Sequence, residues 1–238
     1  MRALVIVPTY NERENISPLI TEILAHVPGA EVIVVDDDSP DRTWQEVKTC
    51  WGRDARVRLI HRVGERGLPS ALAAGIKAAR GEIVAWIDSD FNMPPAFLAE
   101  LVRALDHADV AVASRYVAGG EDGRASRVRV VASRVINLVA ACVLGFGIRD
   151  YTSGLMAVRR EVFDRVPFNP GYRHGEYCID FLYRSYRAGL KVREIPFRCA
   201  ERRAGQTKTA PNPRQFVALG FAYLGTVLKL RFGVSARG

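Results

Sequence analysis

The chain has 238 residues, 48% hydrophobic and 25% charged, with a net charge of +8. That length can bury a full core without staples, and the balance excludes disordered and low-complexity chains. Cys50, Cys142, Cys178 and Cys199 lie far apart with no CxxC pair, which argues against a zinc site or a disulfide framework and for reduced thiols, while the positive charge favours anionic partners.

Met1 to Pro8 is too short and too soon broken to be a signal peptide, and no run is long enough to span a bilayer. Ala3 to Val7 is a continuous apolar run, the pattern of a buried parallel strand, and it ends at Pro8-Thr9-Tyr10-Asn11-Glu12. Helical spacing follows from Asn15 to Ala25, stopped by Pro28-Gly29. Glu31 to Val35 reads as a second strand, ending in Asp36-Asp37-Asp38-Ser39-Pro40-Asp41. A helix over Thr43 to Trp51, a strand over Val57 to His61 and an alanine-rich helix within Gly67 to Ala79 come next. Ile83 to Ile87 is a fourth strand that runs into Asp88-Ser89-Asp90. Strand–helix alternation over this half implies a parallel α/β sheet with right-handed crossovers. Ligands bind such sheets outside the carboxyl ends of the strands, where these polar motifs fall.

Beyond Pro94-Pro95, a helix is expected at about Ala96 to Leu105 and a strand at Val110 to Ala113, leading to Ser114-Arg115-Tyr116. Gly119 to Gly123 reads as a flexible loop. Arg124, Arg127, Arg129 and Arg134 open an apolar helix reaching Leu144, with Arg124 and Arg127 read as a solvated basic face or a membrane-facing one. Asp150 to Gly154 reads as a turn, Leu155 to Arg159 as a strand, Asp180 to Ala188 as a helix closed by Gly189, and Val192 to Phe197 as the last strand.

In an extended backbone, side chains two apart point to one side, so Asp88 and Asp90 can close on one hard cation. Mg²⁺ or Mn²⁺ held by one or two carboxylates completes its shell with substrate phosphates and water. No glycine-rich phosphate loop is present, which leaves a pyrophosphate to metal and basic side chains.

Ile6 to Glu12, Val34 to Asp41 and Ile87 to Asp90 with Pro94-Pro95 resemble family 2 glycosyltransferases. Ser114 to Gly120, Asp150 to Gly154 and Glu201 to Lys208 narrow the resemblance to the polyprenol (dolichol) phosphate mannose synthases. The resemblance implies a GT-A type α/β fold, with a mixed, mostly parallel sheet flanked by helices. Residues 1–210 would form the catalytic domain and residues 211–238 an amphipathic C-terminal helix. It implies that Pro8, Tyr10, Glu12, Val35 and Asp37, with Asp88, Ser89, Asp90, Arg202 and Lys208, hold the sugar nucleotide. Asp88 and Asp90 would hold the metal, joined by Asn92, which stands where the family usually has Gln. Arg115, Arg129, Ser133 and Arg202 fall at positions expected to meet the acceptor phosphate. His174 is a further candidate for substrate contact.

The activity so implied is transfer of mannose from GDP-mannose to a polyprenyl monophosphate with inversion, Asp88, Asp90 and Arg115 acting at the reacting centre. A phosphate acceptor is already ionised near neutral pH and needs little general-base help. A related transferase using UDP-glucose or UDP-GlcNAc, or a non-lipid acceptor, is the alternative. Nucleic acid is not expected, because no aromatic-interleaved basic stripe is present. The apolar core of the last helix, Phe216 to Leu228, is too short to span a bilayer and has basic ends. It reads as an interfacial helix that brings a peripheral enzyme to the cytoplasmic face of the membrane, or as a helix packed on its own domain.

Overall fold

Ala3–Thr9 is apolar on both faces, so as an extended segment it needs cover from both sides, and it lies near the middle of the sheet as strand β1. The computed structural model describes residues 2–145, 147–199 and 212–233. Helix α1 (Arg13–His26) leads to β2 (Glu31–Asp36), α2 (Thr43–Trp51) to β3 (Val57–His61), and α3 (Leu68–Ala78) to β4 (Ile83–Trp86). There follow α4 (Phe97–Ala104), β5 (Val110–Ser114), β6 (Glu121–Asp122) and α5 (Arg127–Leu144). The chain continues through β7 (Met156–Arg159), α6 (Val162–Arg165), α7 (Glu176–Arg187), β8 (Val192–Pro196), β9 (Arg198–Cys199) and α8 (Pro213–Phe232).

Seven strands form one sheet in the order β3-β2-β1-β4-β7-β5-β8. All neighbours are parallel except β7, which runs antiparallel to β4 and to β5. The expected mixed, mostly parallel sheet is therefore present. The period-two alternation of β1 divides the core. Val5 and Val7 face Ile16, Leu19 and Ile20 of α1, whereas Leu4 and Ile6 face the layer holding Leu72 of α3, Ala140 of α5 and Phe181 of α7. Gly75 lets α3 close on the sheet, since a Cβ there would stand 2.6 Å from a methyl of Ile6.

The chain steps outward from β1 to β3, then returns through α3 to place β4 on the other side of β1. Strand order reverses there, which opens a crevice above the carboxyl ends of β1, β2 and β4.

Three local expectations change. Helix α5 starts at Arg127, capped by the Ser126 side chain, so Arg124 lies before it and pairs with Asp122 instead of forming a solvated face. Helix α7 starts at Glu176, ahead of the expected Asp180. The loop Gly119 to Gly123 contains β6, which pairs in parallel with β9 as a two-stranded ribbon.

Helix α8 packs on α5 and α7. Its inward face buries Thr226 and Val227, and its outward face leaves Val217, Phe221, Leu228 and Phe232 exposed. Among the described residues, no helix is long and apolar enough to cross a membrane.

Candidate functional site

A cleft of about 670 Å³ opens above the reversal point. Its floor comes from three strand ends: Pro8, Thr9, Tyr10 and Glu12 after β1, Asp37 after β2, and Asp88, Ser89 and Asp90 after β4. One side is the β3–α3 connection, with Arg66, Gly67 and Ser70; another is the segment before α7, with Tyr172, Arg173 and His174. Non-glycine residues with positive φ follow all three floor strands, Asn11 (54°), Asp38 (50°) and Phe91 (61°). Sharp, sterically costly bends at these ends turn the chain and spread the polar side chains round the opening.

Each floor motif is braced from below. The Asp36 carboxylate accepts hydrogen bonds from the Thr9 hydroxyl (2.7 Å), the Ser39 hydroxyl (2.6 Å) and the Ser39 amide (2.9 Å), which locks β1 and β2 together beneath the cleft. Glu12 is buried and accepts from the Asn15 side chain at 2.7 Å, while its own amide donates to the Thr43 hydroxyl at 2.9 Å. Asp37 takes two contacts from Arg62, at 2.8 and 2.5 Å, and one from the Gly67 amide at 2.8 Å. Both partners of this ion pair are buried, and removing one partner of such a pair costs roughly 3–5 kcal/mol. Asp37 thus ties the β3–α3 connection to the floor, and Arg66 from that connection lies over the Tyr10 ring, 3.9 Å from its centroid.

Asp88 and Asp90 reach the cleft, but not as an extended pair: β4 ends at Trp86 and Ser89-Asp90 form a turn. Asp90 is buried and accepts from the Asn92 amide and from the Asn92 side chain, each at 3.0 Å. Asn92, expected among the metal ligands, here braces Asp90 and is not among the residues that line the cleft. Among the described residues, no three His, Cys, Asp or Glu side chains gather closely enough to cage a metal. Two carboxylates at the rim of an open cleft fit a hard divalent cation that shares its shell with a ligand's phosphates and water.

Val35, expected at the nucleotide, is fully buried, and its side chain belongs to the core layer of α3. Arg202 and Lys208 lie outside the described residues. His174 does line the cleft.

Two of the residues expected at the acceptor phosphate, Arg115 and Ser133, belong to one hydrogen-bond network with Tyr116, Asn137, Asp150 and Thr152. The Arg115 guanidinium, expected at the acceptor phosphate, donates to both oxygens of Asp150 at 2.8 Å and to the Thr152 hydroxyl at 2.9 Å. Burial opposes its charge, but the Asp150 carboxylate outweighs that and holds its pKa above the ordinary value. The Tyr116 hydroxyl donates to Ser133 at 2.9 Å. Arg129 lies 5.3 Å from the ring centroid of Phe216, which joins α5 to α8.

Arg62, Arg66, Ser70, Tyr172 and Arg173 are cleft or bracing residues that sequence reading missed. For the β3–α3 connection a signal existed: two arginines and two glycines directly after a parallel strand, at the edge where such sheets bind ligands.

Residues 4–166 match the family model described as Glycosyl transferase family 2. A polyprenol monophosphomannose synthase of Mycolicibacterium smegmatis is 37% identical over 214 residues, covering 87% of this chain and 80% of that protein. A dolichol-phosphate mannosyltransferase of Pyrococcus furiosus is 36% identical over 87% of this chain, which spans 59% of that protein's length. A crystal structure of glucosyl-3-phosphoglycerate synthase from Mycobacterium tuberculosis, in complex with Mn²⁺, UDP and glucosyl-3-phosphoglycerate, superposes with a TM-score of 0.73. It is 23% identical, over 99% of this chain and 81% of that one. Another structure of the same synthase contains Mg²⁺ and UDP.

Proposed function

The chain belongs to glycosyl transferase family 2, and on that premise we propose that it transfers mannose from GDP-mannose to a polyprenyl monophosphate. The observation that carries the reading is one cleft at the strand-order reversal that collects Tyr10, Glu12, Asp88 and Asp90 from separate strand ends. Relatives above 30% identity named for mannose transfer to lipid phosphates support mannose as the sugar and a polyprenyl phosphate as the acceptor.

In this reading Pro8, Tyr10, Glu12 and Asp37 line the nucleoside end of the cleft, and Asp88, Ser89 and Asp90 the diphosphate end. A Mg²⁺ or Mn²⁺ ion held by Asp88 and Asp90 would supply positive charge to offset the leaving nucleoside diphosphate. Arg66 and Arg173 line the same cleft and add cationic donors for phosphate oxygens. The acceptor phosphate oxygen attacks the anomeric carbon in line, the new C–O bond forming as the bond to the diphosphate breaks, with inversion. The acceptor is already an anion, so no side chain has to remove a proton; the contribution of the protein is orientation and charge. Arg129 and Ser133, with Arg202 and Lys208, are the proposed phosphate contacts. Arg115, being paired with Asp150, serves by fixing the 150–154 turn beside Asp88, where a Cβ on Gly154 would stand 4.0 Å from an Asp88 oxygen.

Residues 1–210 are the proposed catalytic unit and residues 211–238 its membrane-facing extension. Support for a lipid-facing surface comes from two adjacent helices. Val128, Val131, Val135 and Leu138 are exposed along α5, and Val217, Phe221, Leu228 and Phe232 along α8. Exposed arginines and a lysine, Arg127, Arg134, Arg214, Lys229 and Arg231, lie on the same helices. Apolar stripes bordered by cations suit the interface of an anionic bilayer, at the cytoplasmic face in this reading. A donor screen with GDP-mannose, UDP-glucose and UDP-GlcNAc against one polyprenyl phosphate, read by product mass, tests the assignment. Hexosyl lipid phosphate from GDP-mannose is expected, and product from UDP-glucose alone overturns the donor assignment.

A further inference from the structure

The inward face of α8 meets the cleft wall at Tyr223 and Gly175. Tyr223 points from α8 toward Gly175, the residue that precedes α7 and lines the cleft beside His174. Gly175 has φ −78° and ψ 3°, a backbone that any residue adopts, so glycine is not required there by conformation. It is required by space. A Cβ on Gly175 would stand 2.5 Å from the Tyr223 hydroxyl oxygen and 3.4 Å from Cζ, with no closer neighbour.

Tyr223 has little room to yield. It is partly buried and packs into the core layer that contains Tyr177, Phe181 and Val227. Its neighbours Thr226 and Val227 are buried one turn further along the same inward face. The wall itself is held on its other flank, where the His174 amide donates to the buried Glu176 carboxylate at 2.7 Å and the Cys178 amide to the Gly175 carbonyl at 3.1 Å. The short stretch Tyr172 to Gly175 is thus fixed between the first turn of α7 and a side chain from α8.

We propose that Tyr223 is a positioning residue for the donor cleft, holding the wall that carries Tyr172, Arg173 and His174 through its contact with Gly175. The C-terminal helix therefore does more than face lipid: its outer stripe is free for a membrane while its inner face sets the shape of the sugar-nucleotide site. For its kinetic consequence the inference rests on the transferase reading; for its geometry it does not.

The experiment uses the full chain as wild type, Tyr223→Phe, Gly175→Ala and the double variant. Amide hydrogen exchange is measured over residues 170–175, and steady-state kinetics with GDP-mannose and a detergent-solubilised polyprenyl phosphate. Gly175→Ala is expected to speed exchange across the wall and to raise the donor KM by about tenfold, while the acceptor KM stays within about twofold. Tyr223→Phe is expected to give a smaller rise of the same kind. Removing the hydroxyl makes room for the added methyl, so the double variant is expected to return to the Tyr223→Phe level in both measurements. A lost anchor would instead raise the acceptor KM. Gly175→Ala with wild-type exchange, or a double variant no better than Gly175→Ala, overturns the proposal. Should Gly175→Ala fail to fold, recovery of folded protein by Tyr223→Phe is the expected result, and no recovery overturns the contact. If wild type does not turn over GDP-mannose, the exchange measurement still decides this inference and the failure falls on the donor assignment alone.

Discussion

Asp90 is a cleft carboxylate held by a local partner. Asn92 occupies both of its oxygens with one local hydrogen-bonding unit, and the pair sits in a turn at the rim of the cleft instead of inside either core layer. Asp90→Ala is therefore expected to lower turnover at least about a hundredfold, the scale for losing a charge that stabilises the reacting centre. Its melting temperature should fall by no more than about 4 °C, as for the loss of one ordinary interaction in a chain of this size. Kinetics with a thermal melt checks both; retained turnover would remove Asp90 from the mechanism. The cysteines give a second residue-level expectation. Cys50 and Cys142 are exposed, whereas Cys178 and Cys199 are buried. Burial pushes the Cys178 thiol far up and the Cys199 thiol up to about 11, which keeps both protonated near neutral pH. A maleimide titration of the native protein should modify Cys50 and Cys142 quickly and the other two only after unfolding. At this scale the acidic clusters at strand ends stood out in the sequence, and Asp37, Asp88 and Asp90 do line one cleft. The sequence did not show that Asn92 would turn toward Asp90, or that Arg115 would be taken by Asp150. Those are choices between partners brought together only by the fold.

Among the elements, strands and helices with strong periodicity were legible almost to the residue. α2 and β3 match their expected limits, as each is bounded by a clear change of pattern. The β6–β9 ribbon was not legible: two-residue strands have no periodicity to read, and their pairing depends on the ends of β5 and β8 being adjacent. For α8 the sequence left two readings, lipid-facing or packed on its own domain. The fold gives the helix both an exposed and a packed face, because α5 and α7 cover only one side of it. The apolar stripes of α5 and α8 lend themselves to a direct measurement. Leu138→Asp and Phe221→Asp place a charge on side chains that are 61% and 69% exposed, so neither should disturb folding. Each is expected to reduce co-sedimentation with anionic vesicles severalfold, and the double variant more so. Unchanged vesicle binding would remove these helices from any bilayer contact.

At the scale of the whole molecule, the net charge of +8 is spread over a chain whose cleft floor is acidic. Arg62, Arg115, Arg124 and Arg184 pair with the buried carboxylates of Asp37, Asp150, Asp122 and Asp180, and a pH dependence of stability follows from such pairs. The Asp122 side chain is fully buried, which alone would raise its pKa. The paired Arg124 guanidinium, at 2.7 and 2.6 Å, and Arg115 beyond it outweigh burial and hold it below the ordinary 3.8. A carboxyl group depressed by folding adds stability that is complete above its unfolded value and lost as pH falls through the folded one. The melting-temperature gap between wild type and Asp122→Asn is therefore expected to be widest near neutral pH and to narrow below 3.8. Calorimetry across acid pH checks this, and a gap independent of pH would contradict it.

The antiparallel strand β7 sits between β4 and β5, yet it is made after both of them. As the chain leaves the ribosome, Ile83–Trp86 can pair with β1 at once, but its other edge stays bare until Met156–Arg159 has emerged. At about 5–20 residues per second that wait lasts several seconds. Throughout it, a wholly apolar strand offers unpaired amides and carbonyls to any neighbouring chain. Synthesis of this protein thus has a built-in interval of vulnerability to clumping. A fragment that stops short of residue 156 would make the interval permanent, and co-expressed chaperones that shield strand edges should raise the yield of the full chain.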